Sequence, residues 1–348
     1  DEATQAYEQA RDAVKDFINA EFREEIIFTS GTTASVNLAA FCFGEAYIKE
    51  GDEVIVTEAE HHSNIVPWQM MCRRKGAILK VLPIDDSGYL IIDELDSLIT
   101  GRTRIMAVTH ISNVLGIVNP VKDIVEKCHS KGVAVLVDGA QGAVHCKVDV
   151  RDMDCDFYVF SGHKLYAATG TGVLYGKKKW LENMPPYMGG GEMVGTVKFS
   201  GTTYAPLPMK YEAGTQNFAS AATLKPAIEL LNILNDNNLE EYNNSIKDYL
   251  LNILINDERI RLYGVPRGTS EEKIPLFSFT VKGIHHEDLA LILDKMGIAV
   301  RSGQMCAEPL MDRFGVTGML RISLAPYNTM QEAEYFVKCL NKAIDMLI

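Results

Sequence analysis

Two uninterrupted apolar runs, each ending on a chemically capable side chain, constrain this chain more than anything else in it. Both lie in VAVLVDGAQGAVHCKVDVRDMDCDFYVFSGHK, residues 133–164. The first, 133–137, is mostly β-branched and stops at Asp138. The second, 157–160, is followed by Ser161, Gly162, His163 and Lys164. Continuous apolar runs bounded by turn residues read as strands buried on both faces of a parallel sheet. Ligands of open α/β sheets lie beyond the carboxyl ends of such strands. An acid closing one strand and a lysine following another can therefore meet on one ligand.

That pairing suits pyridoxal phosphate. A lysine amine bonds its aldehyde, and a carboxylate keeps the pyridine nitrogen protonated so that the ring draws electrons from a bound amino acid. Asp138 and Lys164 fit those roles. Each alone has a plainer reading, because an acid at a strand end and a lysine after a turn are more often just solvated.

The rest of the first two hundred residues alternates strand and helix, as a doubly wound sheet requires. A helix is expected over 2–20 and strands near 25–29, 53–57, 76–83, 104–109 and 170–174, with helices at 34–43, 93–99 and 120–131. Ser30-Gly31-Thr32-Thr33 joins a strand to an apolar helix, an arrangement that offers free N–H groups to a phosphate, or simply an ordinary hydroxyl cap. Glu60-His61-His62 follows another strand. No ligand cluster at zinc spacing accompanies the two histidines, so metal is not expected, and an imidazole there can instead face an aromatic cofactor and move protons. Residues 185–216 are rich in Gly, Pro and Thr and read as a long ordered excursion, functional or interfacial, with room for a hairpin. Beyond it come helix to 256, strands near 276–281 and 298–300, a strand-like run at 320–324, and helices near 287–296 and 331–348. The expectation is a large sheet domain, 1–222, and a smaller α+β domain, 223–348.

Composition narrows the classes. With 348 residues, 47% hydrophobic and 23% charged, the chain can bury a large core. A net charge of −12 argues against nucleic acid as a partner. No apolar stretch reaches membrane-spanning length, and no leader or lipidation motif is expected from the first residues of the sequence. Seven cysteines, an odd number with none at C-x-x-C spacing, suit a reducing cytoplasm. Cys306 differs from the others because it sits in the Gly-containing loop Ser302-Gly303-Gln304-Met305-Cys306, where it can be exposed, mobile and nucleophilic, or merely packed. Arg321 is a surface charge, or a clamp for an amino-acid carboxylate.

These motifs taken together resemble the PLP-dependent cysteine desulfurases of the SufS type, a group that overlaps with selenocysteine lyases. The matching stretches are TSGTT at 29–33, EHHSNIVPWQ at 60–69, THISNVLG at 109–116, VDGAQ at 137–141, DCDFYVFSGHK at 154–164, EAGT at 212–215, RSGQMCAEPLM at 301–311 and MLRISLAPYNT at 319–329. They run in order over essentially the whole chain. The resemblance implies a PLP-dependent transferase of fold type I, like aspartate aminotransferase. It also implies that Lys164 bonds the cofactor, Asp138 pairs with the pyridine nitrogen, Gln141 bonds the ring hydroxyl and His61 stacks on the ring. Thr32, Thr33, Ser161 and His163 would hold the phosphate, joined by Thr215 from a neighbouring subunit of a homodimer. Asn113 and Arg321 would bind the substrate carboxylate, and Cys306 would take sulfur from L-cysteine and pass it to an acceptor protein of the SufE or SufU type for iron–sulfur cluster assembly.

Three stretches depart from the family pattern. Gln304-Met305 stands where His-His is usual, Ala167-Ala168 where Gly-Pro is common, and Gln216 where proline usually follows EAGT. The family also carries several tens of residues before the point where this sequence begins. Competing readings are a selenocysteine lyase acting on L-selenocysteine, an aminotransferase-like enzyme with an incidental Cys306, and a catalytically weak scaffold that binds an acceptor through the excursion.

Overall fold

Both apolar runs are central strands, and successive residues face opposite cores. In β5 (Ala134–Asp138), Val135 and Val137 enter one core while Ala134 and Leu136 enter the other. In β6 (Phe157–Ser161), Tyr158 and Phe160 face the first core, and Phe157 and Val159 the second. A strand buried on both faces gains nothing from alternating polarity, which is why the sequence shows none. The computed structural model describes residues 1–236 and 239–348.

Five further strands complete this sheet: β1 (Ile26–Thr29), β2 (Glu53–Thr57), β3 (Ile78–Leu82), β4 (Thr103–Thr109) and β7 (Gly172–Gly176). Their order is β1-β7-β6-β5-β4-β2-β3. Strands β3, β2, β4, β5 and β6 are parallel, and β7 runs antiparallel between β6 and β1. The carboxyl ends of β1, β2, β4, β5 and β6 therefore share one edge. The loops leaving that edge begin at Ser30, Glu58, His110, Gly139 and Gly162, so every motif singled out in the large domain emerges on the same side. Helices α1 (Glu2–Phe17), α2 (Thr32–Tyr47) and α3 (Val66–Lys75) supply apolar residues to the two cores.

The excursion holds a hairpin, β8 (Val194–Lys198) with β9 (Gly201–Tyr204), most of whose residues are exposed. Its far end is anchored by Glu212, the first residue of EAGT. The Glu212 carboxylate accepts both Arg11 terminal nitrogens at 2.8 and 2.9 Å, the Tyr7 hydroxyl at 2.8 Å and the Phe28 N–H at 2.8 Å. Such a pair is sustained in a buried place because nearly every polar atom around it has a partner.

A second, antiparallel sheet has the order β10-β11-β13-β12, from β10 (Ile260–Tyr263), β11 (Leu276–Val281), β12 (Arg301–Gly303) and β13 (Met319–Ser323). It has its own core, shared with the helices Leu239–Asn256, His286–Lys295 and Met330–Leu347. Leu224, Ile228 and Leu231 of the helix Leu224–Asp236 belong instead to a core of the large sheet. The strand expected at 298–300 is displaced. Gly297, at φ +79°, closes the preceding helix as its N–H donates to Asp294 O and the Ile298 N–H to Leu293 O, and ladder pairing starts only where Arg301 meets Arg321. Strand β10 was not foreseen, because IRLY carries a charge and too few apolar residues to stand out.

Candidate active site

The shared edge of the large sheet and the β12–β13 side of the small one enclose a cavity of about 270 Å³. Lys164, Asp138, Gln141 and His61 line it, as do Thr32, Thr33, Ser161 and His163, and Asn113 and Arg321. Ten of the twelve residues singled out from the sequence thus meet in one place. Thr215 is exposed and lies outside the cavity of its own chain. Cys306 is exposed at its margin, directly after the cavity-lining Met305.

One end of the cavity is built for an anion. Helix α2 starts at Thr32, whose N–H donates to Ser161 Oγ at 2.8 Å while its hydroxyl shares a 2.7 Å hydrogen bond with the same oxygen. Among the described residues the N–H groups of Thr33 and Ala34 find no acceptor. Free N–H groups at the positive end of a helix dipole, beside a serine and two threonine hydroxyls, form a phosphate cradle. Its shape depends on glycine: a Cβ on Gly172 would lie 2.4 Å from Gly31 Cα.

The other end is built for an electron-poor ring and an aldehyde. Asp138 is buried, and burial raises its carboxyl above the usual range, opposed by an N–H from Ala140 at 3.0 Å and by Lys164. A ring N–H⁺ is the kind of partner such a carboxylate lacks. Lys164 follows β6 in a short 3-10 turn, Gly162–Leu165. Burial lowers its amine below the ordinary lysine value against the pull of Asp138, and Arg321 and Arg301 lower it further. No hydrogen bond holds its Nζ among the described residues. An amine kept toward neutrality can add to an aldehyde and move protons. His61 is pushed down to about 4, first by burial and then by Lys164, His62 and Arg301. Its Nδ1 accepts the Ser63 N–H at 3.0 Å, which leaves the ring proton on Nε2. These features fit pyridoxal phosphate: a phosphate cradle, a buried carboxylate and a free amine in one cavity.

The remaining wall suits an amino-acid carboxylate. Arg321 donates through Nη1 to Asn113 O at 2.8 Å, while its buried Nε has no partner. Burial, with the neighbouring Arg301, lowers Arg321 to about 10. Arg301 is a cavity-lining residue that the sequence reading did not single out. It pairs with Arg321 across β12 and β13, lines the same cavity, and donates through Nη2 to Cys306 Sγ at 3.9 Å. Its place at the head of RSGQMC was the available signal. Its register opposite Arg321 was not.

The cysteine loop is exposed as expected, but its backbone is not loose. Asn113 Nδ2 donates to Met305 O at 2.9 Å and the His62 N–H to Cys306 O at 2.8 Å. Met305, in place of a polar histidine, is buried in the core of the large sheet, and Gln304 Nε2 bonds Glu308 Oε1 at 3.2 Å.

Comparison with known proteins agrees with this geometry. Residues 1–336 match the family model described as aminotransferase class-V. A cysteine desulfurase of Cronobacter sakazakii is 47% identical over 337 residues, 97% of this chain and 82% of that one. A probable cysteine desulfurase of Vibrio cholerae is 43% identical, over 99% of this chain and 84% of that one. The crystal structure of the cysteine desulfurase CsdA from Escherichia coli, in an S-sulfonic acid form, superposes with a TM-score of 0.94 at 41% identity, covering 100% of this chain and 86% of that one. An apo cysteine desulfurase from Thermococcus onnurineus gives 0.92 at 34% identity, covering 99% and 85%. By its sequence match and by its fold, the chain belongs to the class-V aminotransferase family.

Proposed function

We propose that this protein is a PLP-dependent cysteine desulfurase, which takes sulfur from L-cysteine, releases L-alanine and carries the sulfur as a persulfide on Cys306. The observation that carries the reading is an exposed thiol at the margin of a cavity that also holds Lys164, Asp138 and two arginines. Neither a transaminase with an incidental cysteine nor a scaffold needs that thiol there.

The N–H groups at the start of α2, with Thr32, Thr33, Ser161 and His163, would hold the phosphate. Asp138 would face the ring nitrogen, Gln141 the ring hydroxyl and His61 the ring itself. Bound there, pyridoxal phosphate supplies an electron sink next to the substrate's α-carbon. Arg321, with an unfilled Nε, and Asn113 orient the substrate carboxylate, and Arg301 adds a second positive charge. Lys164 Nζ moves the α-proton, helped by the burial that keeps it toward neutral. His61, neutral at physiological pH, has a proton on Nε2 to give and can take one back. The Cys306 sulfur bonds the substrate sulfur as the bond from that sulfur to Cβ breaks. Cβ keeps the electron pair, gains a proton and leaves in alanine. An acceptor thiol or a reductant then removes the persulfide sulfur.

In this reading residues 1–222 hold the cofactor and 223–348 carry the sulfur loop. The working form is a homodimer in which Thr215 of each chain completes the neighbour's phosphate cradle. This is consistent with Thr215 lying outside its own cavity, and sedimentation as a monomer at working concentration would remove the assignment. The acceptor is a small SufE- or SufU-type protein of the cytoplasm that feeds iron–sulfur cluster assembly. Sulfur transfer to such a protein from cysteine-loaded enzyme is the measurement that checks it. Among the described residues no helix is long and apolar enough to cross a membrane, and no cluster of ligands is suited to a metal.

Cys306→Ala tests the central claim. The variant should bind pyridoxal phosphate as before, since Lys164, Asp138 and the α2 terminus are untouched. It should form no persulfide and lose most alanine release from cysteine. Full alanine release by Cys306→Ala would show that the thiol is incidental.

A further inference from the structure

His62 takes no part in the chemistry above, yet it touches the sulfur-carrying loop twice. Its backbone N–H donates to Cys306 O at 2.8 Å, and its ring Nε2 accepts the Glu308 N–H at 3.0 Å. Glu308 opens the helix Glu308–Phe314, and its N–H is one of the first-turn donors that a helix leaves without an internal partner. The imidazole therefore caps that helix from outside. Together with the bond from Asn113 Nδ2 to Met305 O, the peptides on both sides of Cys306 are tied to loops of the large sheet.

The loop needs such ties. Met305 and Cys306 have φ of +55° and +57°, two consecutive non-glycine residues in the left-handed region. A residue in that region is strained and persists only where the surroundings over-determine it. Within the loop, Gln304 Nε2 reaches Glu308 Oε1 and the Ala307 N–H reaches Gln304 O at 3.0 Å. Further constraint comes from Asn113, from the burial of Met305, from the long contact of Arg301 Nη2 with Cys306 Sγ and from His62. The preceding residue, His61, lines the cofactor cavity. One short 3-10 turn, His62–Asn64 with His61 as its cap, thus faces the cofactor with one imidazole and holds the nucleophile's loop with the next.

Resting on the desulfurase reading, we propose that His62 is a positioning residue for sulfur transfer: it fixes the backbone around Cys306 so that the thiol stands at the cavity mouth in one place. The role depends on an acceptor atom at Nε2 and on the backbone N–H, and these can be removed separately. His62→Gln keeps a side-chain acceptor. His62→Ala removes the ring contact alone. His62→Pro also removes the N–H, at the first residue of a 3-10 turn where proline is tolerated, after a His61 whose φ of −69° and ψ of +150° suit a following proline.

The test uses the holoenzyme and two readouts. The first is kcat and KM for alanine release from cysteine. The second is the rate of Cys306 alkylation by iodoacetamide without substrate, read by peptide mass mapping. The expected result is a graded loss in kcat, smallest for Gln and largest for Pro, and about 10- to 100-fold for Ala, as expected when a reacting group is displaced by about an ångström. KM should stay near wild type, because Arg321 and Asn113 are unchanged, and the alkylation rate should change several-fold in the same order. Unchanged kcat and alkylation in both Ala and Pro variants would overturn the proposal. So would a loss confined to cofactor binding or KM, which would make His62 merely structural. If the wild type releases no alanine from cysteine while alkylation still ranks Gln, Ala, Pro, the desulfurase reading fails and the loop-holding role stands.

Discussion

The two edges of the large sheet carry similar residues in opposite circumstances. At the amino-terminal edge, Asp156 precedes β6 and Glu53 opens β2. Burial works against the charge on Asp156, but His129, Trp180, Lys177 and the Val135 N–H surround it and hold it down at about 2. Glu53 is likewise lowered against its burial, by Lys80, Thr100 and Thr103. At the carboxyl edge, Asp138 is raised, Lys164 is lowered and His61 falls to about 4, each chiefly through burial and each with few partners. Glu60 lies between the two cases. It accepts bonds from Thr57, Asn64 and the Thr109 N–H, yet complete burial still pushes it up to about 8. One edge spends its charges on holding strands together. The other leaves several of them short of partners, and such groups beside a cavity mark the functional side.

The largest effect that would break this comparison comes from the unsatisfied edge. Lys164→Ala should abolish turnover and, after borohydride reduction of the cofactor-loaded protein, leave no pyridoxyl label at this position, where the wild type carries it. The apo variant should be no less stable than apo wild type, since the amine has no hydrogen-bond partner to lose and its burial is itself a cost. A label on another lysine of the wild type, or a large loss of apo stability in the variant, would place Lys164 with the structural charges.

The satisfied edge should respond the other way. Asp156→Ala strands the Val135 N–H and the Trp180 N–H and takes from His129 its 2.7 Å partner, while Lys177 keeps Asp154. Breaking a buried pair by removing one partner costs roughly 3–5 kcal/mol. Denaturant unfolding should show a loss of that order, while kcat per folded, cofactor-loaded molecule stays near wild type. A stable but inactive variant would reverse the assignment of the two edges.

Much of this division was legible in the sequence, and the failures have a common cause. The runs at 133–137 and 157–160 announced buried strands through β-branched and aromatic content, and the residues just beyond them became the cavity. Those are local signals, one strand and the turn after it. Arg301 escaped because its meaning depends on facing Arg321 across an antiparallel pair, a register fixed only after Gly297 turns the chain and delays the ladder past 298–300. His62 escaped because its partners, Cys306 and Glu308, are more than two hundred residues away in sequence. Glu212 was noticed only as part of EAGT, and its buried bonds to Arg11, Tyr7 and Phe28 could not be read from spacing. Pairings inside a strand–turn unit follow from composition, whereas pairings between units follow from the assembled fold.

The smallest effect is a pH dependence with opposite signs for two partners at the satisfied edge. Asp156 has a folded pKa of about 2, depressed from an ordinary value of 3.8. The unfolded chain binds its proton first as pH falls, so this group's contribution is full above about pH 4–5 and is lost as pH drops through 2, a total of about 2 kcal/mol at 1.36 kcal/mol per pKa unit. His129 is raised, chiefly by its hydrogen bond to Asp156 against a burial penalty. Its contribution is therefore present in full below the unfolded histidine value and lost as pH rises through its folded pKa. The pair is worth most where both are charged, above the acid range and below the folded pKa of His129. Apo-protein stability measured by urea unfolding from pH 3 to 8 should decline toward both ends, and the acid-side slope should flatten in Asp156→Asn. An unchanged acid slope in that variant would mean that other carboxylates carry the acid sensitivity and that Asp156 contributes shape rather than charge.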